Sequence, residues 1–418
     1  MLHCKCVLIN YYSFKINLGC SGIFRYKSRY TVGIQSEGIE ELLPDEAQCV
    51  EQIRSALFGL YRSWGYELVI TPLIEHLESL TVGIGGDLES HTFRLVDQAS
   101  GRTLGVRSDI TPQVARIDAH RLNRKGPARL CYWGPVLLTR ARALGGNRSP
   151  IQVGAELYGH SGYESDLEIL RLMIESLRIA GLQQPYLDLG HVGVFKSLAR
   201  QAELSAAQED LLFDALQRKA KPEMAELLAG VSDRKVAAML SSLVDLNGGD
   251  EVLVQARKAL AGAAPAVLAA LDDLEQLVTH LRKRYSEMSI HIDLAELRGY
   301  SYHTGVVFAA YTNGYGQSVA QGGRYNDVGA VFGRARPATG FSLDLRGLLT
   351  INGVQTKPVG GVFAPVVDDP QLRRMIHDLR AQGERVICEL PGQDGGAADC
   401  GCDRVLVKTG ESWTVQSV

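Results

Sequence analysis

What this 418-residue chain lacks bounds it first. It has eight cysteines, too few for a disulfide scaffold, so reduced thiols and a cytoplasmic location are expected. No run of 18 or more apolar residues occurs, so no transmembrane helix and no membrane association are expected. An excess of one charge sign is also missing: 44 Lys and Arg stand against 47 Asp and Glu, a formal net charge of −3. A protein that grips nucleic acid by its global field is thereby disfavoured. With 22% charged and 45% hydrophobic residues, a disordered acidic or basic chain is excluded. No Walker-type phosphate loop is present, and the glycines at Gly83–Gly86 and Gly360-Gly361 lack the strand–loop–helix context of a cofactor loop. No Ser/His/Asp set is recognisable, Cys-x-x-Cys metal spacing is absent, and His76-x-Glu78 by itself supplies no complete ligand set. Cys4-x-Cys6 alone supplies no complete ligand set. No cofactor and no metal are therefore expected.

The length allows two or three domains and a large core. The first 35 residues differ from the rest: Lys5, Lys15, Arg25, Lys27 and Arg29 occur with no acid, alongside three of the eight cysteines. Basic, acid-free N-termini can be targeting segments. Here no Ala-x-Ala site follows an apolar core, and Tyr11, Tyr12, Tyr26 and Tyr30 interrupt it. Residues 1–35 are expected to be a disordered or non-native extension.

From residue 40 the chain reads as alternating elements. Pro44-Asp45-Glu46 opens a helix whose apolar positions run Val50, Ile53, Leu57, Leu60, Tyr61 and Trp64. A short strand is expected at 68–70 and a hairpin from 91–96 to 103–106. Thr111 is the expected N-cap of a second helix, with Pro112 at its first position. Strands are expected at 130–138 and 151–158. In the latter, Gln152, Gly154, Glu156 and Tyr158 share one face, placing Gln152 and Glu156 about 13 Å apart on one surface. A helix from Ser165 to Ala180 is expected to open with a capping box of Ser165 and Glu168. Residues 197–285 are rich in Ala and Leu and read as a helical insertion. Strands resume at 290–297, 302–311 and 316–320. After Pro358 a small unit follows, strand 360–365, helix 369–382 and strands 385–390 and 404–408, then 413–415. The fold class read from this pattern is α+β, with strands in hairpins more than in strict βαβ alternation.

Four segments concentrate polar residues: Arg107-Ser-Asp109-Ile-Thr111-Pro112-Gln113, Gln152 with Glu156, Leu297-Arg298-Gly299-Tyr300-Ser301-Tyr302-His303-Thr304-Gly305, and Gln321-Gly322-Gly323-Arg324-Tyr325. Taken singly they read as a helix cap, a solvated strand face, a hairpin and a turn. Together their carboxylates, amide, guanidinium, imidazole and phenols suit a zwitterionic amino acid. Carboxylates can hold an ammonium or an imidazole N–H, and an arginine can hold a carboxylate.

These blocks resemble a known family. Residues 36–350 are similar to the catalytic core of histidyl-tRNA synthetase, a class II aminoacyl-tRNA synthetase. Residues 129–159 match its motif 2 in length and frame, Leu297–Tyr302 resembles its histidine-specific Arg-Gly-x-x-Tyr motif, Gly322–Tyr325 its second histidine-binding stretch, and Thr339–Leu343 motif 3. The resemblance implies a class II antiparallel sheet core with the helical insertion, followed by a small C-terminal α/β unit at 356–418. It also implies that Asp109 and Thr111 hold the α-amino group. Gln152, Glu156, Arg298, Tyr302 and Tyr325 would contact a bound histidine, with His303 standing where the family has a second tyrosine.

The nucleotide side departs from the family. The motif 2 arginine that grips the α-phosphate falls on Leu138, the following acidic position on Arg140, and a loop arginine on Gly146, while Arg148 is kept. In motif 3 a glycine falls on Asp344, and the arginine falls on Gly347, out of frame with Arg346. Each lost phosphate contact costs roughly 2–4 kcal/mol, so adenylation is expected to be lost. About 70 residues follow motif 3, too few for the anticodon-binding domain and its linker. The pattern resembles the regulatory subunits of ATP phosphoribosyltransferase through Leu42-Leu-Pro44, Arg107–Arg116, Cys131–Pro135 and Arg298–Phe308. That resemblance implies a non-catalytic protein of the first step of histidine biosynthesis. It would partner a short-form catalytic subunit, dimerise within a hetero-oligomer and take histidine as effector, without tRNA. The alternatives are a histidine–tRNA ligase of unusual form and an RNA-binding relic. A histidine-dependent pyrophosphate exchange assay decides the first, and the lack of a basic stripe weighs against the second.

Overall fold

The computed structural model describes residues 36–81, 90–141, 146–300, 302–352 and 360–418. The reading of residues 1–35 and the glycines at 83–86 lie outside the described residues. Among the described residues the largest sheet has nine strands: β1 (Glu67–Leu68), β5 (Ala128–Pro135), β6 (Ile151–Tyr158), β7 (Tyr186–His191), β8 (Asn247–Gly248), β9 (Ile290–Asp293), β10 (Val306–Tyr311), β11 (Ala320–Arg324) and β12 (Ala338–Asp344). Their order is β1-β5-β6-β12-β11-β10-β7-β9-β8, and the six strands from β5 to β7 in that order pair antiparallel throughout. A three-stranded sheet holds β2 (Ile74–His76), β3 (Phe93–Val96) and β4 (Thr103–Val106).

One face of the large sheet is covered by helices. These include α1 (Pro44–Ser63), whose Glu46 carboxylate accepts from the Leu43 N–H at 2.9 Å, and α4 (Tyr163–Ile179). Val153, Ala155 and Leu157 of β6 and Phe341 and Leu343 of β12 join Leu57, Tyr61, Leu170 and Met173 in this core. Tyr61 meets the Phe341 ring edge-on at 6.3 Å. By strict alternation the opposite residues of β6, Gln152, Gly154, Glu156 and Tyr158, turn to the second face. That face is closed rather than solvated, because α3 (Thr111–Arg116), preceded by a short helix α2 (Leu77–Thr81), and Tyr325 pack there. Seven more helices follow in chain order: α5 (Val192–Gln201), α6 (Ala206–Gln217), α7 (Lys221–Leu228), α8 (Arg234–Ser242), α9 (Glu251–Ala259), α10 (Pro265–Arg284) and, after β12, α11 (Leu345–Asn352). The helices between 192 and 284 share the main core through residues such as Leu198, Leu216, Leu240, Leu271 and Leu281. Arg282, in the basic end of α10, pairs with Asp250 at 2.8 Å. Last comes a four-stranded sheet ordered β14-β13-β15-β16 (Val386–Cys388, Val362–Ala364, Arg404–Thr409, Ser412–Ser417). It carries one helix, α12 (Pro370–Ala381), and has its own small core around Leu372 and Leu406.

The structure moves two expected features and adds a third. Helix α4 starts at Tyr163, not Ser165, and has no capping box. The Ser165 hydroxyl instead accepts from Arg324 at 2.7 Å, and Glu168 pairs with Arg129 at 2.7 Å. A buried guanidinium needs acceptors more than an exposed helix end needs a cap; Arg324 also bonds Asp166 at 2.9 Å. The strand expected at 316–320 lies at Ala320–Arg324, so Gly322 and Gly323 are strand residues rather than a turn. A β-carbon at Gly322 would lie 2.1 Å from the Gly340 carbonyl oxygen. Glycine here marks a close strand approach. Finally, β7 lies at Tyr186–His191, where the sequence reading assigns no strand.

Candidate functional site

The second face of the sheet carries a cavity of about 220 Å³. Asp109, Thr111, Glu156, Arg298, Tyr302, His303 and Tyr325 all line it, brought together from α3 and its preceding loop, β6, the 294–303 loop and the end of β11. Glu156 lies at the bottom and is 1% exposed. Three hydroxyls donate to its carboxylate: Thr111 Oγ1 at 3.2 Å and Tyr132 Oη at 3.1 Å to Oε1, and Tyr325 Oη at 2.6 Å to Oε2. Burial, reinforced by the nearby Asp109 charge, pushes the Glu156 carboxyl up to about 8. A cationic group entering the cavity would find a carboxylate already furnished with donors and short of positive charge.

Thr111 is therefore not the N-cap that its sequence position suggests. Ile110 holds the cap position without a side-chain bond. The Thr111 N–H goes to Asp109 Oδ1 at 2.9 Å in an Asx turn, which frees the threonine hydroxyl for Glu156. Gln152 does not line the cavity. Its Nε2 donates to Asp109 Oδ1 at 2.9 Å and its Oε1 accepts from the Ile110 N–H at 2.9 Å. It holds Asp109 in place.

His303 is half-buried, and desolvation pushes its imidazole down to about 4, so the ring is neutral. Its Nδ1 lies 3.3 Å from the Arg324 carbonyl oxygen, which can only accept. The proton thus belongs on Nδ1, and Nε2 is left as an acceptor. The Tyr302 ring lies 4.9 Å from Tyr325, and its buried hydroxyl has no partner of hydrogen-bond geometry among the described residues. At the far end Arg298 donates to Tyr311 Oη at 2.6 Å and to Glu296 Oε2 at 3.2 Å. Sequence reasoning missed Tyr132, Glu296, Tyr311 and Ser342. Tyr132 had a legible signal, since β5 places it opposite Gly154, which leaves room for an aromatic ring.

None of the positions expected to have lost nucleotide contacts, Leu138, Arg140, Gly146, Asp344 and Gly347, lines the cavity. Leu138 is buried and Arg140 exposed. Arg148 donates from Nε to the Leu138 carbonyl at 3.0 Å and stacks its guanidinium 5.4 Å from the Phe93 ring centre. The Gly146 carbonyl faces Gly38, and the Gly347 Cα faces the Tyr315 hydroxyl. Asp344 accepts the Ile151 and Arg346 N–H groups, each at 3.0 Å. The start of α11 is thus filled by the chain's own carboxylate, whose burial raises its pKa. An anion-binding helix start is already occupied from within.

The sheet order and the polar cavity on its second face define a histidyl-tRNA synthetase-like core with an amino-acid-sized pocket. Comparison agrees: the histidyl-tRNA synthetase family model matches residues 38–348, and the model described as ATP phosphoribosyltransferase subunit HisZ C-terminal domain matches residues 359–416. The ATP phosphoribosyltransferase regulatory subunit of Thioalkalivibrio sulfidiphilus is 53% identical over 91% of this chain and 97% of its own length. That of Alkalilimnicola ehrlichii is 54% identical, over 91% of this chain and 96% of its own. A solved structure from Bacillus halodurans, an ATP phosphoribosyltransferase regulatory subunit/histidyl-tRNA synthetase, aligns with TM-score 0.77 at 27% identity, covering 88% of this chain and 95% of that one. Histidyl-tRNA synthetase from Nostoc sp. PCC 7120 shares the fold at 19% identity and TM-score 0.71, over 92% and 94% of the two chains. The chain belongs to the ATP phosphoribosyltransferase regulatory subunit family. Its role in histidine biosynthesis is regulatory and non-catalytic.

Proposed function

We propose that the cavity binds free histidine as an effector and that the chain conveys its presence to a short-form ATP phosphoribosyltransferase catalytic subunit, whose activity it also supports. The observation that carries this reading is the buried Glu156 carboxylate with its three hydroxyl donors, sharing one cavity with Asp109 and Arg298. Asp109 and Glu156 supply acceptors for an ammonium and an imidazole N–H. Arg298, with its Tyr311 and Glu296 partners, supplies donors for a carboxylate. His303 Nε2 adds an acceptor. Histidine regulates only if it binds one quaternary state better than another. Calorimetry with Glu156→Ala and Arg298→Ala tests the pocket: both are expected to weaken histidine binding at least about tenfold, and unchanged affinity in both overturns it. Co-purification with a short catalytic subunit that is inert alone tests the partnership.

The chain acts in the cytoplasm and without tRNA in this reading. Among the described residues no helix is long and apolar enough to cross a membrane, and the net charge of −3 offers no field for a polyanion. The chain also pairs with a second copy of itself. Ile70 is 79% and Val96 72% exposed, and Leu68, Leu73, Ile74 and Leu95 are exposed too, on β1, the following segment and the three-stranded sheet. Exposed large apolar side chains are candidates for a contact between copies.

A further inference from the structure

The loop from 294 to 303 carries Arg298, Tyr302 and His303 into the cavity. Its other side is gripped by helices. The Tyr300 ring stacks on Phe213 of α6 at 4.6 Å and 25°, meets Phe195 of α5 edge-on at 5.6 Å, and lies 4.7 Å from the Lys196 ammonium. Its hydroxyl donates to Glu209 of α6. Both ends of the loop are tied to the same region. Gln217 at the end of α6 donates to the Ala295 carbonyl at 2.5 Å, Lys219 pairs with Asp293 at 2.9 Å, and Lys196 donates to the His303 carbonyl at 2.9 Å. Yet no residue of α6 lines the cavity. The contacts are therefore not part of ligand recognition, and a free surface loop does not need an aromatic wedge between two helices.

We propose that Tyr300 is a positioning residue that couples the cavity to helix α6, so that the order of the 294–303 loop and the placement of α6 change together. The cavity side of the loop and the helix side share one short segment. Gly299 at φ +64° turns the chain, and the Tyr302 and His303 N–H groups both return to the Gly299 carbonyl, at 2.8 and 2.7 Å. A ligand that draws Arg298 or His303 therefore pulls on Tyr300, and Tyr300 bears on Phe213 and Glu209. Coupling of this kind needs a packed element that both sites bias. The wedge supplies it. That histidine is the ligand rests on the function proposed above, whereas the mechanical link does not.

Hydrogen exchange on the full chain separates the two. Tyr300→Ala is expected to speed exchange in both 294–303 and 206–217 while leaving 370–381 in the C-terminal unit unchanged. Tyr300→Phe and Glu209→Gln, which both keep the stack, are expected to stay near wild type. With histidine added, the wild type is expected to gain protection in 206–217 as well as in the loop. Tyr300→Ala is expected to bind histidine roughly tenfold more weakly, the upper range for a lost aromatic pair. Tyr300→Phe is expected to bind within about threefold of wild type. Exchange in 206–217 that ignores Tyr300→Ala overturns the coupling. So does histidine protection confined to the loop. If the wild type shows no histidine binding, the function proposed above falls, and the unliganded exchange alone decides the coupling.

Discussion

Glu156 and Gly340 face each other across the β6–β12 pair so closely that a β-carbon at 340 would lie 1.5 Å from Glu156 Oε2. It would also lie 2.8 Å from the Ala155 carbonyl oxygen. β12 cannot retreat, because β11 is hydrogen-bonded on its other side. Gly340→Ala must therefore push Glu156 away from its hydroxyl donors or part the strands. Overpacking of this kind costs about 1–3 kcal/mol. The expected outcome is a lower urea midpoint together with loss of histidine binding in calorimetry. A variant that keeps both would show that the cavity floor yields.

The same carboxyl sets a pH dependence whose sign can be worked out. Folding raises Glu156 from an ordinary 4.5 to about 8, so between these values the native state holds a proton that the unfolded chain has released. Stability from this group is complete at low pH and is lost as pH rises through that window. The buried His191 and the half-buried His303 work the other way. Their folded values near 4 lie below the ordinary 6.5, so they cost stability as pH falls through that interval. Between about pH 6.5 and about pH 8 the histidines are silent, and wild type should lose stability relative to Glu156→Gln. A cationic ligand favours the ionised carboxylate. Binding at neutral pH should therefore release a proton, seen as a buffer-dependent calorimetric enthalpy that disappears in Glu156→Gln.

How far the sequence reaches is clearest on β6. Its strict alternation reveals the strand, its two faces and the pairing of Gln152 with Glu156 on one of them. It cannot reveal that this face is closed, because Tyr325 and Tyr302 come from segments more than 140 residues away. That distance is also why Gln152 reads as a contact residue when it holds Asp109 instead. Local signals failed where tertiary demand outweighed them. Thr111 and Ser165 look like caps, but a buried carboxylate and a buried guanidinium claimed their hydroxyls. The glycines of β11 look like a turn, because only the neighbouring strand shows what they make room for. In the C-terminal unit, where contacts are local, the elements fall close to their expected positions.

Asp344 carries a prediction about lost chemistry. Its carboxylate occupies the Ile151 and Arg346 N–H groups at the start of α11, and Leu138 offers no charge to a phosphate. Histidine-dependent ATP–pyrophosphate exchange should stay at background. Asp344→Ala should lose about 1 kcal/mol of stability, as a missing helix cap does, without gaining exchange, because removing an anion does not supply the missing cations. Robust exchange by the wild type would return the chain to the ligase reading.

The last prediction concerns the segment that carries the exposed Ile70. It is tied to the site through Arg107, which donates to the Thr71 carbonyl at 2.9 Å, to Thr71 Oγ1 at 2.7 Å and to the Pro135 carbonyl at 2.9 Å. Gln113 of α3 reaches the same segment, donating to the Pro72 carbonyl at 2.8 Å and to Glu75 at 2.9 Å. The helix that presents Thr111 to Glu156 is thus bound to the segment that exposes Ile70. Placing a charge in a buried apolar contact between copies would cost several kcal/mol, whereas the same charge on a free surface is close to neutral. Ile70→Asp and Val96→Asp should therefore shift sedimentation velocity from dimer to monomer while leaving the circular dichroism spectrum unchanged. Histidine affinity should fall with dissociation, since the segment held by Arg107 and Gln113 loses its outer support. A monomeric wild type would remove the second copy from this face, and an unaltered dimer in both variants would put the contact elsewhere.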